Sequence, residues 1–184
     1  MNKGTSAVDV STRNRDIKSD SFVSYVIDRC QFDNGARAAF KRADNPATEY
    51  QSWELLARFN VDLEDQSQRL PFLAVTAAIA RANIEKNGAT VIGAAIARCY
   101  EDGNASDQAK AKLRRLLACD DVSEVCRLLR PLLSFIDSKG NATLNYSQLL
   151  DDLLRFRYEE SRLRVKARWA QDFYGRPGVK GDDE

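Results

Sequence analysis

Between residues 20 and 175 the apolar residues recur at intervals of three and four, and strand-type alternation is missing. A chain patterned this way buries stripes along helices and lacks the half-buried faces from which sheets are built. The pattern is strongest in Leu144–Gly175, which reads LNYSQLLDDLLRFRYEESRLRVKARWAQDFYG. Asn145 suits a helix N-cap. Leu149, Leu150, Leu153 and Phe156 form one stripe. Ser161 can cap a second helix after a break near Glu159–Ser161, and Val165, Trp169 and Phe173 then follow on one face. Gly175 suits the position past a helix end, and Pro177 forbids further helix.

The same reading applies along the chain. Phe22, Val23, Val26, Ile27 and Cys30 share one face of a helix over Asp20–Cys30, and Ala36, Ala39, Phe40 and Ala43 share one face of a short helix that follows. Pro46 opens another helix with Tyr50, Trp53 and Leu56 or Ala57 turned inward. Val61–Gln68 is an acidic connector. Leu70–Asn87 reads as a long Ala-rich helix closed by Gly88, and Thr90–Glu101 as a small-residue helix ended by Gly103. Ser106 caps a helix with Ala109, Leu113, Leu116 and Leu117 inside. Asp121 and Glu124 resemble a capping box for a helix that buries Val125, Leu128, Leu129, Leu132 and Ile136, with a kink expected at Pro131. The expected architecture is all-α, with about eight or nine helices in two packed bundles. The expected division is a disordered tail over residues 1–18, an N-terminal bundle over 19–105, a C-terminal bundle over 106–175 and a second tail over 176–184.

Several kinds of chemistry lack the residues they need. The sequence contains no histidine, which removes the commonest general base and every Ser-His or Cys-His nucleophile. Cys30, Cys99, Cys119 and Cys126 form no CxxC pair, so buried reduced thiols are expected rather than a metal site or disulfide. Asp151-Asp152 and Glu159-Glu160 are neighbours in sequence, not a facing dyad. GATVIG, from Gly88, lacks the Lys-Ser/Thr ending of a phosphate loop. Trp53, Trp169, Phe173 and Tyr174 sit on helical stripes and read as core. No metal, cofactor or enzymatic activity is expected. No apolar run approaches the roughly 20 residues of a membrane span, and no signal-peptide core is evident, so a cytoplasmic protein is expected.

The formal net charge is only +1, so any polyanion binding must come from local clusters. The informative cations are those without acidic neighbours one helical turn away. Near the C-terminus Asp151 or Asp152 can pair with Arg155, Glu160 with Arg164, and Asp172 with Arg168, which describes a self-satisfied surface. Two other groups are less well matched. Arg37, Lys41 and Arg42 have only Asp33 and Asp44 nearby, and Asp33 is a candidate cap. Lys110, Lys112, Arg114 and Arg115 have little beside Asp107, and Arg127 and Arg130 follow on the next helix, with Glu124 near the first. Spacing alone leaves two readings open: a merely solvated face, or a surface for which phosphates supply the missing negative charge.

The segments DNGARAAFKRA at 33–43, GAAIARC at 93–99, LRRLLACDDVSEVCRLLRPLL at 113–133 and LNYSQLLDDLLRF…VKARWAQDFYG at 144–175 resemble, in order and spacing, the CasB family. This is the small subunit of the type I-E CRISPR surveillance complex, Cascade. The resemblance implies two helical bundles with no catalytic site. It also implies two copies side by side, contacts with the backbone and large subunits, and a basic surface that helps hold guide RNA and opened target DNA. By motif it assigns that surface to Arg37, Lys41, Arg42, Arg114, Arg115, Arg127 and Arg130. A helical adaptor that binds only proteins is the alternative from a different class.

Overall fold

The computed structural model describes residues 7–140 and 143–175, with side chains from residue 18 onward. Among these residues the chain forms α1 (Ala7–Phe32), α2 (Asn34–Phe40), α3 (Trp53–Arg58), α4 (Gln66–Ala82), α5 (Ile92–Arg98), α6 (Asp107–Ala118), α7 (Val122–Lys139), α8 (Tyr146–Arg155) and α9 (Glu159–Tyr174). The one strand-like pairing among them is an isolated parallel bridge between Thr90 and Leu144. The tail expected over 176–184 lies outside the described residues, as do residues 1–6 of the first tail. From Ala7 the backbone is already helical.

Capping chemistry starts five of the helices. The side chains of Asp33, Asp65, Ser106, Asp121 and Asn145 each accept a backbone N–H from the first turn of the helix that follows. Such a cap is worth about 1 kcal/mol and fixes where the helix begins. Other boundaries depart from the sequence reading. α4 stops at Ala82, because Asn83 takes the left-handed conformation at φ 51° and closes the helix. The segment after Pro46 forms turns and a 3-10 turn at Glu49–Ser52 before α3 begins. That register sends Leu55 and Leu56 inward and leaves Tyr50 and Trp53 exposed. The break between the last two helices comes at Phe156–Tyr158, so Ser161 lies inside α9.

The helices pack in two groups. α1, α2, α4, α7 and α8 form one, while α5, α6 and α9 form the other, joined where α6 meets α7 and α8 meets α9. The groups are not the two halves of the chain. α7 and α8 return to pack on α4, α8 also packs on α1, and α5 lies along α9. One hydrophobic core therefore draws on residues from both sides of the division expected at 105/106.

Two glycines permit this interleaving. A Cβ on Gly93 would lie 2.2 Å from the Trp169 carbonyl oxygen and 2.8 Å from the Phe173 nitrogen, so only glycine lets α5 touch the backbone of α9. A Cβ on Gly88 would lie 2.0 Å from the Thr143 carbonyl oxygen. Gly88 thus serves close approach rather than ending a helix, and its N–H donates to Leu144 O at 2.9 Å. Asn87 completes this junction by donating to Asn145 Oδ1 and Ser147 Oγ and accepting from Tyr146 N–H at 2.8 Å.

The polar centre is Asp152, which is 2% exposed. Its carboxylate accepts from Trp169 Nε1 at 2.7 Å, from Gln148 Nε2 at 2.9 Å and from the Arg168 guanidinium. The Trp169 ring also stacks on Phe156, with centroids 5.6 Å apart. Asp151 is buried as well and accepts from Ser19 of α1. The adjacent aspartates are thus internal fasteners between helices, and Arg168 spans from α9 to α8.

Burial raises the Asp152 carboxyl above its usual range, against the opposing influence of Arg168, Trp169, Gln148 and Arg155. The folded chain consequently holds that proton more tightly than the unfolded chain does. The resulting stabilisation is fully present below the unfolded carboxylate pKa of about 3.9 and is lost as pH rises through the folded value.

Asp152→Ala should cost about 3–5 kcal/mol in urea unfolding, because it strands a guanidinium and an indole N–H. Asp152→Asn should remove the pH-dependent component. The stability of the unsubstituted protein relative to this variant should therefore fall as pH rises from about 3 toward 7, and a flat difference would contradict the assignment. Gly93→Ala should lower stability by about 1–3 kcal/mol by prising α5 from α9, which a thermal melt would detect.

Candidate nucleic-acid interface

The acids nearest the first basic group are already engaged. Asp33 accepts from Ala36 N–H at 2.9 Å as the cap of α2, and its second oxygen pairs with Arg29 at 2.8 Å. The Ala36 amide and Arg29 help hold the Asp33 carboxyl below its usual range. Asp44 takes both terminal nitrogens of Arg81, at 3.0 and 2.7 Å, and Arg130 Nε approaches it at 3.4 Å. Arg81 also donates to the Lys41 carbonyl at 3.2 Å, tying the end of α4 to the turn after α2.

Asp44 is therefore a pivot between segments far apart in sequence. α4 supplies Arg81, α7 supplies Arg130, and the turn after α2 supplies Lys41 and Arg42. Arg127 lies one turn before Arg130, and both flank a cleft that includes Asp44, Pro46 and Leu73. Lys41, Arg42 and Arg127 are exposed, and among the described residues no carboxylate lies within ion-pair reach of them. Among the described residues the Arg42 side chain reaches Gln51, at 3.5 Å. Arg37 behaves differently. It is half-buried and turns its Nε toward Ala80 O at 3.5 Å, where the last carbonyls of α4 lack partners within the helix.

The second basic group divides in two. Lys110 pairs with Asp107 at 3.6 Å, and Arg114 is exposed on the same flank of α6. Arg115 lies about 100° further round that helix. There it joins Lys112, whose ammonium sits 4.5 Å from the centre of the Phe135 ring. Of the eight residues singled out from the sequence, Arg130 reaches Asp44 and Arg127 lines the same cleft, while Lys41 and Arg42 lie two and three residues before Asp44, with the Lys41 carbonyl held by Arg81 and the Arg42 side chain directed at Gln51; Arg37 lies behind them. Lys110, Arg114 and Arg115 do not join that cluster. Arg81 was missed, because its partner Asp44 lies 37 residues away in sequence.

The C-terminal cations are largely spent inside the fold. Glu160 and Arg164 form their expected pair at 3.7 Å, with both side chains exposed. Arg157 pairs with Asp65 at 2.7 Å, Lys166 with Asp120 at 3.2 Å, and Arg168 with Asp152. Trp169 and Phe173 are core residues, whereas Trp53 and Tyr174 are exposed.

All four cysteines are buried free thiols. Burial pushes Cys126 up to about 12 and Cys30 and Cys119 up to about 11, so thiolate chemistry near neutral pH is suppressed. Among the described residues no group of three His, Cys, Asp or Glu side chains is placed to hold a metal. None of their helices is long and apolar enough to cross a membrane.

Asp44→Ala should cost about 1.5–3 kcal/mol, the value of hydrogen bonds to charged groups. It should also loosen the turn after α2. An unchanged urea midpoint would show that the pivot is not structural.

Comparison with known proteins adds the lineage. A solved chain in the structure "CRISPR RNA-guided surveillance complex" is similar, with a TM-score of 0.70 and 21% identity over 87% of this chain and 93% of that one. CasB from Thermobifida fusca gives a TM-score of 0.69 and 18% identity, covering 88% of this chain and 98% of that one. M. ruber CasB gives 0.66 and 24%, covering 85% and 92%. Comparison with curated proteins gives no match. The family model for CRISPR-associated protein Cse2 matches residues 36–174. Matched over most of its length by that model, the chain belongs to the Cse2, or CasB, family of CRISPR-associated proteins.

Proposed function

We propose that this protein is the non-catalytic small subunit of a type I-E Cascade surveillance complex, and that it grips nucleic-acid backbone through the cations around Asp44. The observation that carries the reading is the allotment of charge. Asp33 and Asp44, the acids that could have neutralised Lys41 and Arg42, are held by Arg29 and by Arg81 with Arg130. The remaining positive charge faces solvent on a scaffold of packed helices. Family membership supplies the CRISPR context, and the similar chain in a surveillance complex supports assembly with other subunits.

Mechanistically, such a subunit need not read bases. Exchanging a DNA duplex for a guide RNA–DNA hybrid is nearly balanced in pairing energy, so modest backbone contacts can tip it. Lys41, Arg42, Arg127 and Arg130 would supply those contacts to opened target DNA, with Arg37 helping to fix the supporting α2–α4 seam. Lys110 and Arg114 form a separate, weaker patch for the same polyanion. In the complex the partners are the backbone and large subunits, guide RNA, target DNA and a second copy of this chain.

The triple change Lys41→Glu, Arg42→Glu and Arg127→Glu tests the proposal. None of the three holds a structural ion pair among the described residues, so the fold should survive. Each lost phosphate contact should reduce the salt slope of binding by roughly 0.7–0.9. The affected step is the holding of opened target DNA, and guide sequence should not matter. Subunit retention, read by gel filtration of the same preparation, separates this from a purely protein-binding adaptor. Ejection of the subunit would favour the adaptor, and full retention with unchanged DNA affinity and slope would refute the assigned surface.

A further inference from the structure

A second surface lies on another flank of α7. Leu116 of α6 and Leu128, Pro131 and Leu132 of α7 floor a groove of about 180 Å³, with Lys112 and Arg115 at its rim. Phe135 continues the floor by one turn. Its ring lies between the ammonium groups of Lys112, at 4.5 Å, and Lys139, at 5.4 Å, and meets Tyr100 at 5.9 Å. Leu128 and Phe135 are half-buried and Pro131 is exposed, so these three are accessible above the buried Leu116 and Leu132. No carboxylate lines the groove, and among the described residues none pairs with Lys112, Arg115 or Lys139.

From this juxtaposition we infer that the α6–α7 groove docks a short acidic amphipathic helix of a partner protein. Leu128, Pro131 and Phe135 recur at three and seven residues, an apolar strip about 10 Å long that matches two turns of a facing helix. The cationic rim selects carboxylates beside the apolar face of that helix. A phosphate backbone would satisfy Lys112, Arg115 and Lys139 but would gain nothing from the leucine and proline floor. The Asp44 cleft has the opposite make-up, with the guanidinium groups of Arg127 and Arg130 beside a half-buried acid. The two surfaces occupy different flanks of α7, so one chain can hold a polyanion and a protein segment together. This inference does not depend on the Asp44 assignment.

The probe is a fluorescent synthetic peptide with leucines at positions i, i+3 and i+7 and glutamates between them, tested on the full chain by anisotropy. Its control has the same composition with the leucines scattered. Saturable binding of the probe, with the control at least about tenfold weaker, is the expected result. Lys112→Glu with Arg115→Glu, both at the rim, should weaken the probe by about tenfold without unfolding the chain. Leu128→Ser should weaken it independently of charge, with circular dichroism confirming the fold. A polythymidine oligonucleotide should leave the probe bound. Equal binding of probe and control, no effect of the rim variant, or displacement of the probe by the oligonucleotide would each overturn the inference, the last by making the groove a nucleic-acid surface.

Discussion

The Asp152 carboxylate lies between α8 and α9 with an indole N–H, a carboxamide N–H and a guanidinium directed at it. A buried charge so placed is costly to dehydrate and costlier to leave alone, so its role is to fix one arrangement of its neighbours. Here it fixes the angle at which α9 leaves α8. That angle sets Trp169 on Phe156 and lays α9 along α5, where Gly93 admits its backbone. α8 in turn packs on α1 and α4, with Asp151 holding Ser19 of α1. The two helical groups meet through this junction.

α4 and α7 form one of the largest helix contacts in the same assembly, and their placement creates the surface chemistry. Arg81 near the end of α4 and Arg130 near the middle of α7 converge on Asp44. The carboxylate is thereby consumed in holding structure together. Lys41, Arg42 and Arg127 remain exposed nearby. A net charge of +1 consequently conceals a locally basic surface, because many of the acids that balance the total are engaged elsewhere. Another flank of α7 carries an apolar strip with a basic rim, so one helix contributes to two chemically different surfaces.

What the sequence makes legible is local chemistry. Asp33, Ser106, Asp121 and Asn145 announce their helices because a cap needs only the three residues that follow it. The buried stripes of α6, α7 and α9 are equally visible, since periodicity directly reflects which face meets the core. Reading fails where a partner comes from afar. Gly88 resembles a helix stop, but its smallness answers Thr143 across the junction. Asp152 resembles a surface aspartate with Arg155 one turn away, but Trp169 and Arg168 cross from another helix to claim it. Arg81 drew no notice because the acid that makes it meaningful lies 37 residues earlier. The chain boundary near Gly103–Ser106 also looks like a division, although α7 and α8 pack back onto the first half.

On the proposed function, the cations of the turn before Asp44 and of the adjoining turn of α7 meet nucleic-acid backbone. Hydrogen exchange of the assembled complex, with and without opened target DNA, tests it most directly. Added protection is expected over residues 41–48 and over the turn of α7 that carries Arg127 and Arg130, with no added protection along the α6–α7 groove. Protection confined to the groove, or none over 41–48, would contradict it.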